Sequence, residues 1–183
     1  MLTRLAAQQA LRNGALDEGV TLAAQALKQA RAAGVTGPEL IPELWTSLEA
    51  ALAAGELSVA HAFFAEATAT CSDYRVVPLF LSLGAYLRSQ GQDAAAVELC
   101  RRAVLLAQQF GSEPLSVETA RTANGYLAQA VHHMGIAIDR QDAATALQCF
   151  EKAAELFGDL GEIHHAQNAR ANSAQLRARL ASC

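Results

Sequence analysis

The side chains with catalytic or metal-binding chemistry are few in this chain, and their spacing limits what they can do. Its five histidines fall as His61, His132–His133 and His164–His165. Neighbouring helical residues point ~100° apart, so neither pair offers two ring nitrogens to one ion as an i, i+4 pair would. The four cysteines, Cys71, Cys100, Cys149 and Cys183, are far apart and form no C-x-x-C. That pattern predicts reduced, partly buried thiols in a cytoplasmic protein. No Gly-rich phosphate loop, Gly-x-Ser-x-Gly, His-Glu-x-x-His or zinc-ribbon spacing occurs. The sequence therefore predicts no enzyme, no metal and no cofactor. Asp17–Glu18 reads as an acidic helix start, which the helix dipole favours, and Arg101–Arg102 as an outer, solvated pair.

The elements that carry these residues are helices. Hydrophobic residues make up 52% of the 183, aromatics only 5%, and alanine supplies 41 residues. Alanine is the strongest helix former and lets helix axes approach closely. No stretch alternates apolar and polar residues with period two, so the fold expected is all-α. Net charge is −4, and no basic stripe is present to displace counterions from nucleic acid. Twelve of the 14 basic residues are arginine, a hint of a GC-rich bacterial genome. The first residues, Met1 to Gly14, lack an apolar run with a cleavage site, so no signal peptide is expected. Val76 to Leu87, the most apolar stretch, is too short to span a bilayer.

A nine-residue offset organises the helices. In four places a small or apolar residue that ends one helix precedes by nine the key small residue of the next: Ala10 to Gly19, Ala51 to Ala60, Leu87 to Ala96, and Ala137 to Ala146. The turn between two crossing helices must keep one length if the crossing is to form. Asn13-Gly14, Ala54-Gly55 and Gln90-Gly91 supply a glycine for a left-handed helix end, whereas Arg140-Gln141 does not. Steps between successive key residues are 41, 36 and 50. The extra length is assigned to longer helices and to loops at Gly34 to Pro38, Cys71 to Tyr74 and Phe110 to Pro114. Pro42, Pro78 and Pro114 fit first-turn positions. The fourth unit begins its first helix near Leu115, and a polar helix from Glu162 to Ala181 closes the chain.

The third unit, Phe80-x-x-Leu83-Gly84-x-x-Leu87 followed by Ala96-x-x-x-Cys100-x-x-Ala103, resembles a tetratricopeptide (TPR) repeat. The link from Leu156 to Gly161 is similar to that of a longer-helix TPR type found in bacterial regulators and signalling proteins. The resemblance implies an all-α, right-handed α-solenoid with units over about 2–34, 42–71, 77–110 and 115–158. A cap over 162–181 follows, nine helices and a single domain in all. It implies a non-enzymatic scaffold that binds a protein segment or peptide in a concave groove lined by the first helix of each unit. The alternative is a sensing or oligomerising module of a bacterial transcription or signalling system. Neither nucleic acid nor membrane is an expected partner; a homodimer is compatible with the array.

The first-helix positions offset from the packed small residues give the groove candidates. They are Arg4, Gln8 and Arg12; Trp45, Glu49 and Leu52; Leu81, Ala85 and Arg88; then His132 and Asp139. Trp45 is either an interface anchor or a residue packed inward on a neighbouring unit. Family members that grip a C-terminal carboxylate do so with lysine and asparagine in the groove. No candidate position here is lysine, and Asn13, Asn124, Asn168 and Asn172 are read as lying elsewhere. Arg4, Arg12 and Arg88 would favour an acidic segment unless they are solvated.

Overall fold

Residues 2–111 and 116–182 are described by the structure, a computed structural model. The expected loop residues Ser112 to Pro114, the expected helix start Leu115, and Cys183 lie outside the described residues. Nine α-helices follow one another among the described residues: α1 Leu2–Arg12, α2 Leu16–Ala32, α3 Ile41–Ala53, α4 Leu57–Thr70, α5 Val77–Ser89, α6 Asp93–Gly111, α7 Val117–Ile138, α8 Ala143–Asp159 and α9 Ile163–Ala181. Short 3₁₀ turns at Gly37–Leu40 and Tyr74–Val76 lead into α3 and α5. The architecture is the all-α helical repeat of the α-solenoid class.

All eight residues of the nine-residue offset are buried: Ala10, Ala51, Leu87 and Ala137 on one side, Gly19, Ala60, Ala96 and Ala146 on the other. The backbone explains the constancy. Ala15 N–H donates to Ala10 C=O at 2.9 Å, and Gly14 N–H to Leu11 C=O at 3.1 Å, which is the paired bonding of a Schellman helix end. Ala15 then accepts from Gly19 N–H at 2.9 Å as the next helix begins. Five residues of helix-end bond and four of first helical bond make the offset. The same chain of bonds runs Ala51–Glu56–Ala60 and Leu87–Gln92–Ala96. Gly91, at φ 74°, occupies the left-handed position that these turns require.

The fourth turn reaches the same offset by another route. Here no residue adopts positive φ. Asp142 N–H donates to Ile138 C=O at 2.8 Å, and the Asp142 carboxylate caps α8 by accepting from Thr145 N–H at 3.0 Å. Phe157 and Ala166 add a fifth case, with Glu162 N–H donating to Phe157 C=O at 2.9 Å and Ala166 N–H to Glu162 C=O at 3.0 Å. The connection from α8 to α9 is thus built like the turns inside the units.

The chain falls into two compact units, Met1–Ser82 and Leu83–Cys183. In the first, Ala7, Ala23 and Ala50 form a close-packed cluster, and the Phe64 and Phe80 rings meet edge to face at 4.7 Å. In the second, Phe157 packs among Ala128, Ala153, Ala154, Ala166 and Ala169. Phe150 packs with Ile138, Ala146 and Leu176. Alanine carries the helix crossings, and the few phenylalanines fill what remains. Cys71 and Cys100 are buried and Cys149 half-buried, all three as free thiols. Arg101 and Arg102 are exposed beside Glu98. Among the described residues no helix is long and apolar enough to cross a membrane.

Candidate functional site

In the first unit, Gln8, Arg12, Trp45 and Glu49, proposed from helical spacing alone, line one cleft of about 280 Å³ together with Leu11. They come together because α1 and α3 each repeat a residue every four positions on one face. Trp45 is half-buried and its indole N–H donates to Ser82 Oγ at 3.1 Å. Ser82 Oγ in turn donates to Glu49 Oε1 at 3.3 Å. This relay ties α3 to α5 and fixes the indole at the cleft wall. Burial pushes the Glu49 carboxyl above its ordinary value, offset in part by hydrogen bonding from Ser82 and Trp45 and by the charge of Arg12. Arg12 is exposed and forms no ion pair among the described residues. Gln8 Nε2 donates to Thr46 Oγ at 3.3 Å, which steadies the amide beside the ring.

Three first-unit candidates stand outside this cleft. Arg4 pairs with Glu43 at 3.3 Å, with both side chains largely shielded, so its charge is already met. Leu81 is 5% exposed and offers no surface to a ligand. Ser82, one residue along, accepts the hydrogen bond from Trp45. A helix face spans about 100°, and the spacing rule chose the wrong neighbour within it. Leu52 is buried as well.

In the second unit Arg88 and Asp139 share a cleft of about 380 Å³ with Phe150, Asn172, Gln175 and Arg179. Arg179 Nη1 lies 3.7 Å from Asp139 Oδ2, and its Nη2 donates to the Asp139 carbonyl at 2.8 Å. Asn172, read from the sequence as remote from any groove position, is in this cleft. Its Nδ2 also lies 2.9 Å from His132 Nε2, where the amide donates to the neutral ring. His132 meets the edges of Phe150 and Phe157, with ring centroids 5.7 and 6.3 Å away. Burial, reinforced by His133 and His165, lowers its pKa to about 4. His132 is therefore a neutral packing residue near pH 7 that positions Asn172. The signal that α9 contributes to a site was the Phe157-to-Ala166 offset, which marks it as a packed repeat helix rather than a solvent cover. Among the described residues no group of three or more His, Cys, Asp or Glu side chains is arranged to hold a metal ion.

No protein family and no curated protein matches the sequence. Solved structures do. Kinesin light chain-like, nearly identical TPR-like repeats from Podosopora anserina share 17% identity, over 97% of this chain and 94% of that one, with a TM-score of 0.50. A variant of the same repeats gives 16% identity, 99% and 95% coverage, and a TM-score of 0.50. The fold is a TPR-type helical repeat. At this identity the likeness speaks for the fold alone. The TPR-type elements are then a framework on which α1 and α3 place one cleft, and α5, α7, α8 and α9 another.

Proposed function

We propose that this protein is a non-catalytic interaction module that holds a protein or peptide segment, with Trp45 as its anchor. The observation that carries this reading is the convergence of Gln8, Arg12, Trp45 and Glu49 on one cleft, with the indole fixed by Ser82. A large amphipathic ring held in place by a hydrogen bond costs little entropy to bury, which is why tryptophan dominates interface energetics. Arg12 and Glu49 line the same cleft with opposite charges and form no ion pair with each other, so the exposed Arg12 guanidinium can meet an acceptor of a bound segment while Glu49 holds Ser82. The cytoplasmic setting rests on the free thiols Cys71, Cys100 and Cys149.

A photo-crosslinking amino acid at Gln8 tests the reading. Irradiation of whole cells is expected to yield a discrete adduct, identified by mass spectrometry, that Trp45→Ala reduces at least roughly tenfold. Adducts of the same identity and yield with and without the indole would show that Trp45 is not an anchor.

A further inference from the structure

Arg88 forms no ion pair among the described residues, although it is half-buried at the end of α5. It lines two clefts of the second unit. One is the cleft of about 380 Å³ with Arg179, Asn172 and Gln175; the other, of about 170 Å³, is lined by Gly84, Ala85, Ala137 and Cys100. Ile136 also borders both, so the two adjoin. The first has two guanidinium groups and two amides against one carboxylate. Asp139 shares Arg179, and its Oδ1 is shielded from solvent behind the surface. An incoming anion therefore meets one net positive charge and up to four hydrogen-bonding side chains. The second is walled by small and apolar residues, with His133 and Cys100 beside them. Burial lowers the pKa of His133 and raises that of Cys100 to about 11, so neither charges near neutral pH.

We propose that these adjoining clefts form a two-pocket site for a peptide segment in which an acidic side chain stands next to an aliphatic one. The carboxylate meets Arg88 and Arg179 with donors from Asn172 and Gln175, and the aliphatic side chain fills the small-residue pocket beside Ile136. Arg88 serves both pockets, its guanidinium on the carboxylate and its methylene stem along the aliphatic group. This rests on the reading of the chain as an interaction module and adds the chemistry of the segment it accepts. The glycine and alanine wall sets the aliphatic preference, and the unpaired arginine sets the charge.

The test is an NMR titration of the ¹⁵N-labelled full chain with the blocked peptide Gly-Gly-Leu-Glu-Gly-Gly, and with versions carrying Gln or Lys for Glu, or Gly for Leu. The Leu-Glu peptide is expected to shift the amides of Gly84, Arg88, Ile136 and Asn172, and each of the other peptides to bind roughly tenfold more weakly or worse. Arg88→Glu should reverse the order so that the Leu-Lys peptide binds best. Arg88→Gln, a milder change, should remove the discrimination between Glu and Gln if Arg88→Glu disturbs the spectrum. Equal affinity for the Glu and Gln peptides, or shifts confined to other residues, would overturn the site. Trp45→Ala separates this from the broader reading. Crosslinking that depends on Trp45, with no Leu-Glu binding, removes the two-pocket site alone. Leu-Glu binding at Arg88 with no Trp45-dependent partner removes the Trp45 anchor and leaves the site standing.

Discussion

Gly135 on α7 lies so close to Phe150 on α8 that a Cβ there would stand 2.9 Å from Cε1 of the ring and 3.1 Å from the Cβ of Cys149. Real Cβ atoms do not approach that closely, so the crossing of these two helices exists only because position 135 has no side chain. Gly84 on α5 faces Cys100 instead, and a Cβ there would meet Sγ at 3.6 Å, an ordinary contact.

Gly135→Ala is therefore expected to destabilise the protein by about 1–3 kcal/mol in urea unfolding, the usual cost of forcing a methyl into a packed core. Phe150→Leu in the same chain should recover part of that loss, because the obstructing ring is gone. Gly84→Ala should be neutral or stabilising by up to about 1 kcal/mol, since alanine is the better helical residue and nothing obstructs it. Equal costs at the two positions would show that the close approach at Gly135 is not what limits the helix crossing.

The turns differ in what holds them, and substitution should expose the difference. Gly91→Ala places a side chain at φ 74° with nothing within 4 Å of its Cβ, so its expected cost of about 1–2 kcal/mol is conformational and not steric. The fourth turn has no such glycine and leans on the Asp142 cap. Asp142→Ala should lower stability, and Asp142→Asn much less, because asparagine caps equally well. Both series are read as shifts in the urea midpoint at constant slope.

Acid should weaken the fold through His132. Its folded pKa of about 4 lies below the ordinary histidine value of 6.5, so the unfolded chain binds a proton that the folded ring resists. Stability is complete above about pH 6.5 and falls as pH drops toward 4. For a half-buried ring the loss is about 1–3 kcal/mol. His132→Gln keeps a hydrogen-bonding partner for Asn172 and removes the titration. Its stability profile between pH 6.5 and 4 should be measurably flatter than that of the parent chain, and parallel profiles would assign the effect to other groups, His133 first.

Legibility in the sequence followed the kind of interaction. The nine-residue offset could be read because a backbone device sets it, the Schellman bond followed by the first helical bond, and glycine marks that device in Gly14, Gly55 and Gly91. The unmarked turn at Asp142 kept the offset because a side-chain cap took over. Side-chain relations across helices were harder to read. Ser82, Asn172 and Arg179 act on partners 37 to 40 residues away, and a helix face is known from spacing only to within a neighbouring residue. Leu81 and Ser82 differ by one position, yet Leu81 is buried while Ser82 bonds two residues that line the cleft. Asn172 was hidden by the polar composition of α9, which looks like a solvent face until its packing is known.

The relay from Trp45 through Ser82 to Glu49 gives the first unit an optical reporter, because Trp45 is the sole tryptophan. Burial raises the Glu49 pKa above its reference value of 4.5, so the indole should sense a titration with a midpoint above that value. Protonation of Glu49 replaces the acceptor of the Ser82 hydroxyl with a neutral group and turns the local field at the ring. Trp45 emission is expected to change through this midpoint in the parent chain and to be flat in Glu49→Gln. Ser82→Ala should shift the midpoint further upward, since the Ser82 hydrogen bond favours the ionised carboxylate. The linkage also fixes the sign for stability: a raised carboxyl pKa means the charged form is costly in the fold, so Glu49→Gln should stabilise the chain at pH 7 and lose that advantage below the midpoint. A ligand that brings a cation to Glu49 would lower the midpoint, and the same emission titration would show it.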